Sequence, residues 1–212
     1  MFFTDDKDEW YDSVFMECYT ALNNRGNLST SIEPENNVCE EILQTFISCN
    51  ICSHNFIFRN ILHSEINGHS YYLIFVEIDL GVAFSPKSGQ HDLGFEYQIW
   101  GYASLKTSYE KLLLTPKETE DNVKHFLHKI FGNAEKSIIS NPHFNKKYKV
   151  EGADNEVESF FANFVIDAIE PIDNLNLVVV ENNIICGFYD SISVSSVCQL
   201  DDFFRKIQLL LK

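Results

Sequence analysis

Asn67-Gly68 sits between two runs patterned with a period near two, Phe56 to Glu65 before it and His69 to Leu80 after it. A period of two marks a β-strand, whose successive side chains point to opposite faces. Asn-Gly is the dipeptide best suited to the two positive φ angles of a type I′ turn, whose twist matches the strands it joins. The pair therefore commits this part of the chain to an antiparallel hairpin. On its second strand Tyr72, Ile74, Val76, Ile78 and Leu80 share one face, and Tyr71, Leu73, Phe75, Glu77 and Asp79 the other; one face is expected to be the more fully buried.

Further strands follow from the same pattern. After a loop with Gly, Ser and Pro over 81–91, Leu93 to Leu105 reads as a long strand, Leu112 to Leu114 as a short one and Lys147 to Glu151 as another. Leu175 to Val180 and Ile184 to Tyr189 read as a second hairpin about Asn182-Asn183. Helices are predicted between and around them. Thr4 followed by Asp5, Asp6 and Asp8 supplies a cap and negative charge at a helix start, and Trp10, Tyr11, Val14, Phe15, Cys18 and Leu22 recur on one face. A second helix spans about 35–48, with Val38, Cys39, Ile42, Leu43 and Phe46 inward. Thr115-Pro116-Lys117-Glu118 has the form of a capping box with proline at the first helical position, predicting a helix over 116–131. Asp154 caps another, whose Val157, Phe160, Phe161, Phe164, Val165 and Ala168 form one stripe up to Pro171; Asp201 to Leu211 forms the last. The expected class is α+β: an antiparallel or mixed sheet built from β-hairpins and packed by amphipathic helices. The organisation read from these signals is an N-terminal helix over 1–23, a polar linker over 24–37 and a main α+β domain over 38–212.

Charge narrows the partners. Sixteen Lys and Arg stand against 31 Asp and Glu, a formal net charge of −15. Such a chain has no basic footprint for phosphate backbones, so nucleic acid and anionic membrane surfaces are disfavoured and a basic protein partner is favoured. With 45% hydrophobic residues it can bury a real core. The N-terminal sequence lacks the basic and apolar regions of a secretory signal, no apolar run approaches a membrane span, and the six cysteines read as reduced, buried thiols. A cytoplasmic location is the expectation.

Asn60-Ile61-Leu62, Ile66-Asn67-Gly68-His69, Leu113-Leu114-Thr115-Pro116-Lys117 and above all Phe144-Asn145-Lys146-Lys147-Tyr148-Lys149-Val150, with Gly152, Asp154 and Phe160-Phe161 downstream, carry a resemblance. From Asn55 to Leu211 the chain resembles a widespread bacterial domain family of unknown function, often membrane-tethered. In that family a phrase F-N-x-x-Y-x-V-x-G-x-D introduces a helix, and a β-hairpin and a final helix follow. The resemblance implies a fold and no catalytic residues; this chain shows none of the apolar spans by which many members are tethered.

Site motifs are sparse. Cys49 and Cys52 form a C-x-x-C pair with His54, His63 and His69 downstream, and thiolate and imidazole are zinc's preferred donors. No second pair stands at finger spacing, and His63 and His69 flank the Asn67-Gly68 turn on different strands, where the register could bring them near each other. Buried thiols are the simpler reading, so Cys49, Cys52, His63 and His69 are candidate ligands and no metal or other cofactor is predicted. Asp121, His125 and His128 share a face of the 116–131 helix, but it points away from that helix's apolar stripe. There is no G-x-S-x-G, G-x-x-x-x-G-K-[ST] or G-x-G-x-x-G, so nucleophile-elbow and phosphate-loop chemistry find no support and no catalytic residue is assigned. The sequence thus leads to a non-catalytic, acidic protein-protein interaction domain. An immunity- or antitoxin-like inhibitor of a basic toxin is the alternative, and a metal-dependent enzyme using the Cys49/Cys52 region is the third reading.

Overall fold

In the computed structural model the described residues are 5–25, 30–31, 37–48, 56–79, 82–85, 89–92, 95–117, 136–137, 139–189 and 191–212. They form helices α1 (Asp5–Asn24), α2 (Asn37–Ser48), α3 (Pro142–Lys147), α4 (Asp154–Phe160), α5 (Asn163–Ile169) and α6 (Val194–Ile207). The strands are β1 (Thr30–Ser31), β2 (Phe56–Ile66), β3 (His69–Asp79), β4 (Val82–Ser85), β5 (Gly89–Asp92), β6 (Phe95–Pro116), β7 (Lys136–Ser137), β8 (Tyr148–Glu151) and β9 (Asn176–Gly187). Seven strands make one sheet in the order β1-β2-β3-β6-β8-β7, with β9 also paired to β6; every pairing is antiparallel. The α+β class holds, and the antiparallel form of the sheet is the one adopted.

The hairpin turns where the sequence places it: Asn67 and Gly68 have φ of 52° and 80°. Both faces of β3 are buried, because helices cover both. Tyr71, Leu73 and Phe75 enter a core with α1, α4, α5 and α6, while Ile74, Val76, Trp100 and Tyr102 enter a second core under Cys39, Ile42 and Phe46 of α2. α1 packs on the first core through Tyr11, Cys18 and Leu22, and within 24–37 the residues Thr30 and Ser31 pair with Leu62 and His63 of β2. α6 comes close to the sheet at Gly101, where a Cβ would run into the ring of Phe204.

Several elements differ from the sequence expectation for identifiable reasons. The expected strands at 93–105 and 112–114 are parts of the 22-residue β6, which bulges between Ser104 and Tyr109. The bulge is held by the C-terminal residues: Leu105 bridges Leu211, and Lys212 N–H donates to Ser104 O at 2.8 Å. Asn182-Asn183 is no hairpin turn, because β9 runs on antiparallel to β6 past the bulge, with Glu181 taking φ 53°. Thr115 and Pro116 end β6 opposite Lys149 and Tyr148 instead of opening a helix; proline is tolerated at a strand end. The expected helix beyond Lys117, with Asp121, His125 and His128, lies outside the described residues, as do Cys49, Cys52 and His54. Part of the 81–91 loop is a separate two-stranded hairpin, β4 with β5.

The helix expected through Ala168 breaks at Phe161. Neighbouring residues on a helix point about 100° apart, yet Phe160 and Phe161 are both buried and meet edge to face at 5.0 Å, which the break permits. The last helix starts at Val194, earlier than expected, on a reciprocal cap between Ser193 and Ser196. α3 was not anticipated; Asn141 caps it by accepting from the N–H groups of His143 and Phe144, each at 3.0 Å. Among the described residues no helix is long and apolar enough to cross a membrane.

Candidate functional site

The two candidate histidines lie on opposite faces of one hairpin. His63 pairs with Tyr72 and stacks on its ring at 5.1 Å, with Nε2 2.9 Å from Ser70 Oγ, on the α2 side. His69 pairs with Ile66 and shares the face of Tyr71, on the α6 side; its Nδ1 is buried with no hydrogen-bond partner among the described residues. One ion held at about 2 Å by each imidazole cannot lie on both sides of a sheet. The nearness that the hairpin register suggested is therefore not realised. Among the described residues no three of His, Cys, Asp and Glu converge as a metal would require.

The sequence did not single out the polar centre under α6. Asp201 is fully buried on the inner face of that helix. The hydroxyl of Tyr71 donates to its Oδ1, Arg205 Nε donates to Oδ2 at 3.0 Å from one turn later, and Arg25 Nε, just past α1, lies 3.5 Å from the same oxygen. Arg25 also reaches Asp202. Burial, and then the bond to Asp201, raise the Tyr71 phenol well above its ordinary range. Burial, with Cys198 nearby, pushes the Cys18 thiol up to about 12. Both oxygens of Asp201 thus receive internal donors, and the centre ties α1, α6 and β3 together.

A second polar centre lies beneath α2. The Tyr102 hydroxyl is 2.8 Å from Asn183 Oδ1 and 3.1 Å from Glu41 Oε1, and Thr45 Oγ1 donates to Glu41 O at 2.8 Å. Burial above all pushes the Tyr102 phenol up to about 12. Trp100 Nε1 donates to Gln98 Oε1 at 3.0 Å. At the far end of the sheet Arg59 Nε lies 2.7 Å from Glu77 Oε2, a contact whose angle serves an ion pair better than a hydrogen bond, and the guanidinium sits 5.5 Å over the Tyr11 ring. Tyr102 and Arg59 thus join separate elements, while the Trp100–Gln98 and Thr45–Glu41 bonds lie within β6 and α2.

Two surface clefts lie among the described residues. One, of about 490 Å³, is lined by Pro116, Lys146, Lys147, Asp173 and Asn174. Lys147 is committed there, with Nζ 2.5 Å from Asp173 Oδ1 and 3.0 Å from Glu170 O. The other is a shallow, open groove of about 590 Å³ along α1 between Ser13 and Asn24, with Met16, Glu17, Thr20 and Ala21, bordered by Val194 at the start of α6. On the same helix Glu9 and Asp12 are exposed, and Trp10 and Met16 stand 46% and 54% exposed. Apolar groups in an acidic surround are the chemistry of an interaction surface. In the sequence the outer face of α1 looks like any solvated helix face; the groove exists only because Val194 lies beside it.

No family model and no curated protein matches the chain. Among solved structures, the crystal structure of the mycobacterial trehalose monomycolate transport factor A aligns over 89% of this chain and 93% of that chain, at 8% identity and a TM-score of 0.46, a likeness too slight to carry weight.

Proposed function

We propose that this chain is a non-catalytic interaction domain whose partner is a basic protein. The observation that carries the reading is the charge of −15 together with an exposed acidic helix face that holds apolar groups. Complementary charge speeds encounter, and a small apolar centre then slows dissociation. An inhibitor of a basic toxin is the second reading, favoured by the same excess of acid. Binding of purified basic proteins at low and high ionic strength tests the proposal: association should slow steeply as salt rises. Tight DNA or RNA binding, or no salt-dependent binding of any basic protein, would overturn it. Block of a toxin's active site at one-to-one stoichiometry would select the inhibitor.

A further inference from the structure

We infer that the groove on α1 is the docking site, and that its occupant is a short basic amphipathic helix presented by the partner; this rests on the interaction reading above.

Charge is the first argument. From Glu9 to Asn24 the chain holds Glu9, Asp12 and Glu17, all exposed, and no lysine or arginine. Arg25, just beyond, is paired with Asp201 and Asp202. The face would repel a second copy of itself and attract lysine or arginine.

Shape selects a helix. Ser13 to Asn24 is about three turns, or roughly 16 Å, so the groove matches a helix of similar length. Its small Ser13, Thr20 and Ala21 let another helix approach closely, while Met16 and Val194 offer apolar contact. Its long wall is α1, whose mid-helix backbone groups are bonded within the helix, so an added strand would find no ladder there, whereas a helix satisfies its own backbone. Trp10 extends the apolar line at one end: its ring lies 5.7 Å from that of Tyr97, and Tyr97 O accepts the N–H of Ile192 at 3.0 Å, bringing the chain that enters α6 alongside.

The test uses the full chain and a fluorescent Leu/Lys peptide of about four turns, patterned with Leu at i, i+3, i+4 and i+7 and carrying a photoreactive leucine analogue. A scrambled peptide of equal charge serves as control. The patterned peptide should bind at least about tenfold more tightly than the scrambled one, should crosslink to 13–24 and Val194, and should lose about tenfold in affinity with Met16→Lys. Met16 is exposed, so that variant should keep its fold; Ala21→Arg, which fills the groove, gives an independent loss, and Lys146→Ala gives none. Equal binding of the two peptides, or crosslinks elsewhere with Met16→Lys silent, would overturn the groove and leave the acidic-interaction reading standing. Failure of every basic peptide and protein to bind at low salt would sink both.

Discussion

The buried carboxylate of Asp201 accepts the hydroxyl of Tyr71 across the contact between α6 and the central hairpin, while Arg205 and Arg25 hold its other oxygen. Removing that carboxylate takes an acceptor from the buried Tyr71 hydroxyl and from Arg205, whereas Arg25 keeps Asp202. Asp201→Ala should therefore destabilise the protein by about 1–3 kcal/mol. Tyr71→Phe keeps the ring stacked on Phe204 and deletes one donor, for about 1–2 kcal/mol. Urea unfolding of both and of the double variant checks this, and the double should cost less than the sum.

Two glycines serve the fold in different ways. Gly68 has φ of 80° and open space around it, so Gly68→Val should cost about 1 kcal/mol or more from backbone strain alone. At Gly101 the constraint is room: Gly101→Ala forces Phe204 away and should cost about 1–3 kcal/mol. Phe204→Leu should rescue part of the second loss and none of the first. Thermal unfolding of the three single variants, and of each glycine variant combined with Phe204→Leu, separates strain from crowding.

Alkali should loosen the α2 side. The Tyr102 phenol is favoured in its neutral form, its value moving from 10.0 to about 12 on folding, so the stability it adds is present below pH 10 and is lost as pH rises towards 12. Each unit corresponds to about 1.4 kcal/mol. Urea midpoints across that window should fall, and Tyr102→Phe should flatten part of the fall; equal slopes would remove Tyr102 as the cause.

Thiol chemistry should be ordered by burial. Cys18, Cys39 and Cys186 are buried, and the Cys18 and Cys186 thiols are pushed upward, whereas Cys198 is partly exposed. Alkylation at neutral pH followed by peptide mass spectrometry should mark Cys198 first among these four and reach the other three only on unfolding. Native labelling of Cys18 at the rate of Cys198 would contradict the packing of α1 on α6.

Legibility in the sequence followed the range of the interactions involved. The Asn67-Gly68 hairpin, α1 and α2 rest on local patterns of turn, cap and stripe, and they appear close to where those patterns put them. Asn182-Asn183 misled because its turn chemistry is local, while the continued pairing of β9 with β6 is set by residues far away in the chain. Pro116 misled for a similar reason, since β8 supplies its partner. Ser193 and Ser196 could have been read as a cap, with serine in the place usually held by Glu or Gln. His63 and His69 are separated by simple parity: an odd offset across the paired positions puts them on opposite faces. The α1 groove was beyond reach, because Val194 is joined to it only by the tertiary packing of α6.

The length of β6 has a consequence for how the molecule opens. The strand pairs with β3 over 95–102, with β9 over 100–114 and with β8 over 113–116, so one backbone segment belongs to each neighbourhood of the sheet. β3, β8 and β9 can each leave the sheet only by breaking a ladder with this one strand. Amide hydrogens in the shared stretch around Trp100–Tyr102 should exchange only through global unfolding, with matching denaturant dependence, while those of β4 and β5 exchange through smaller local openings.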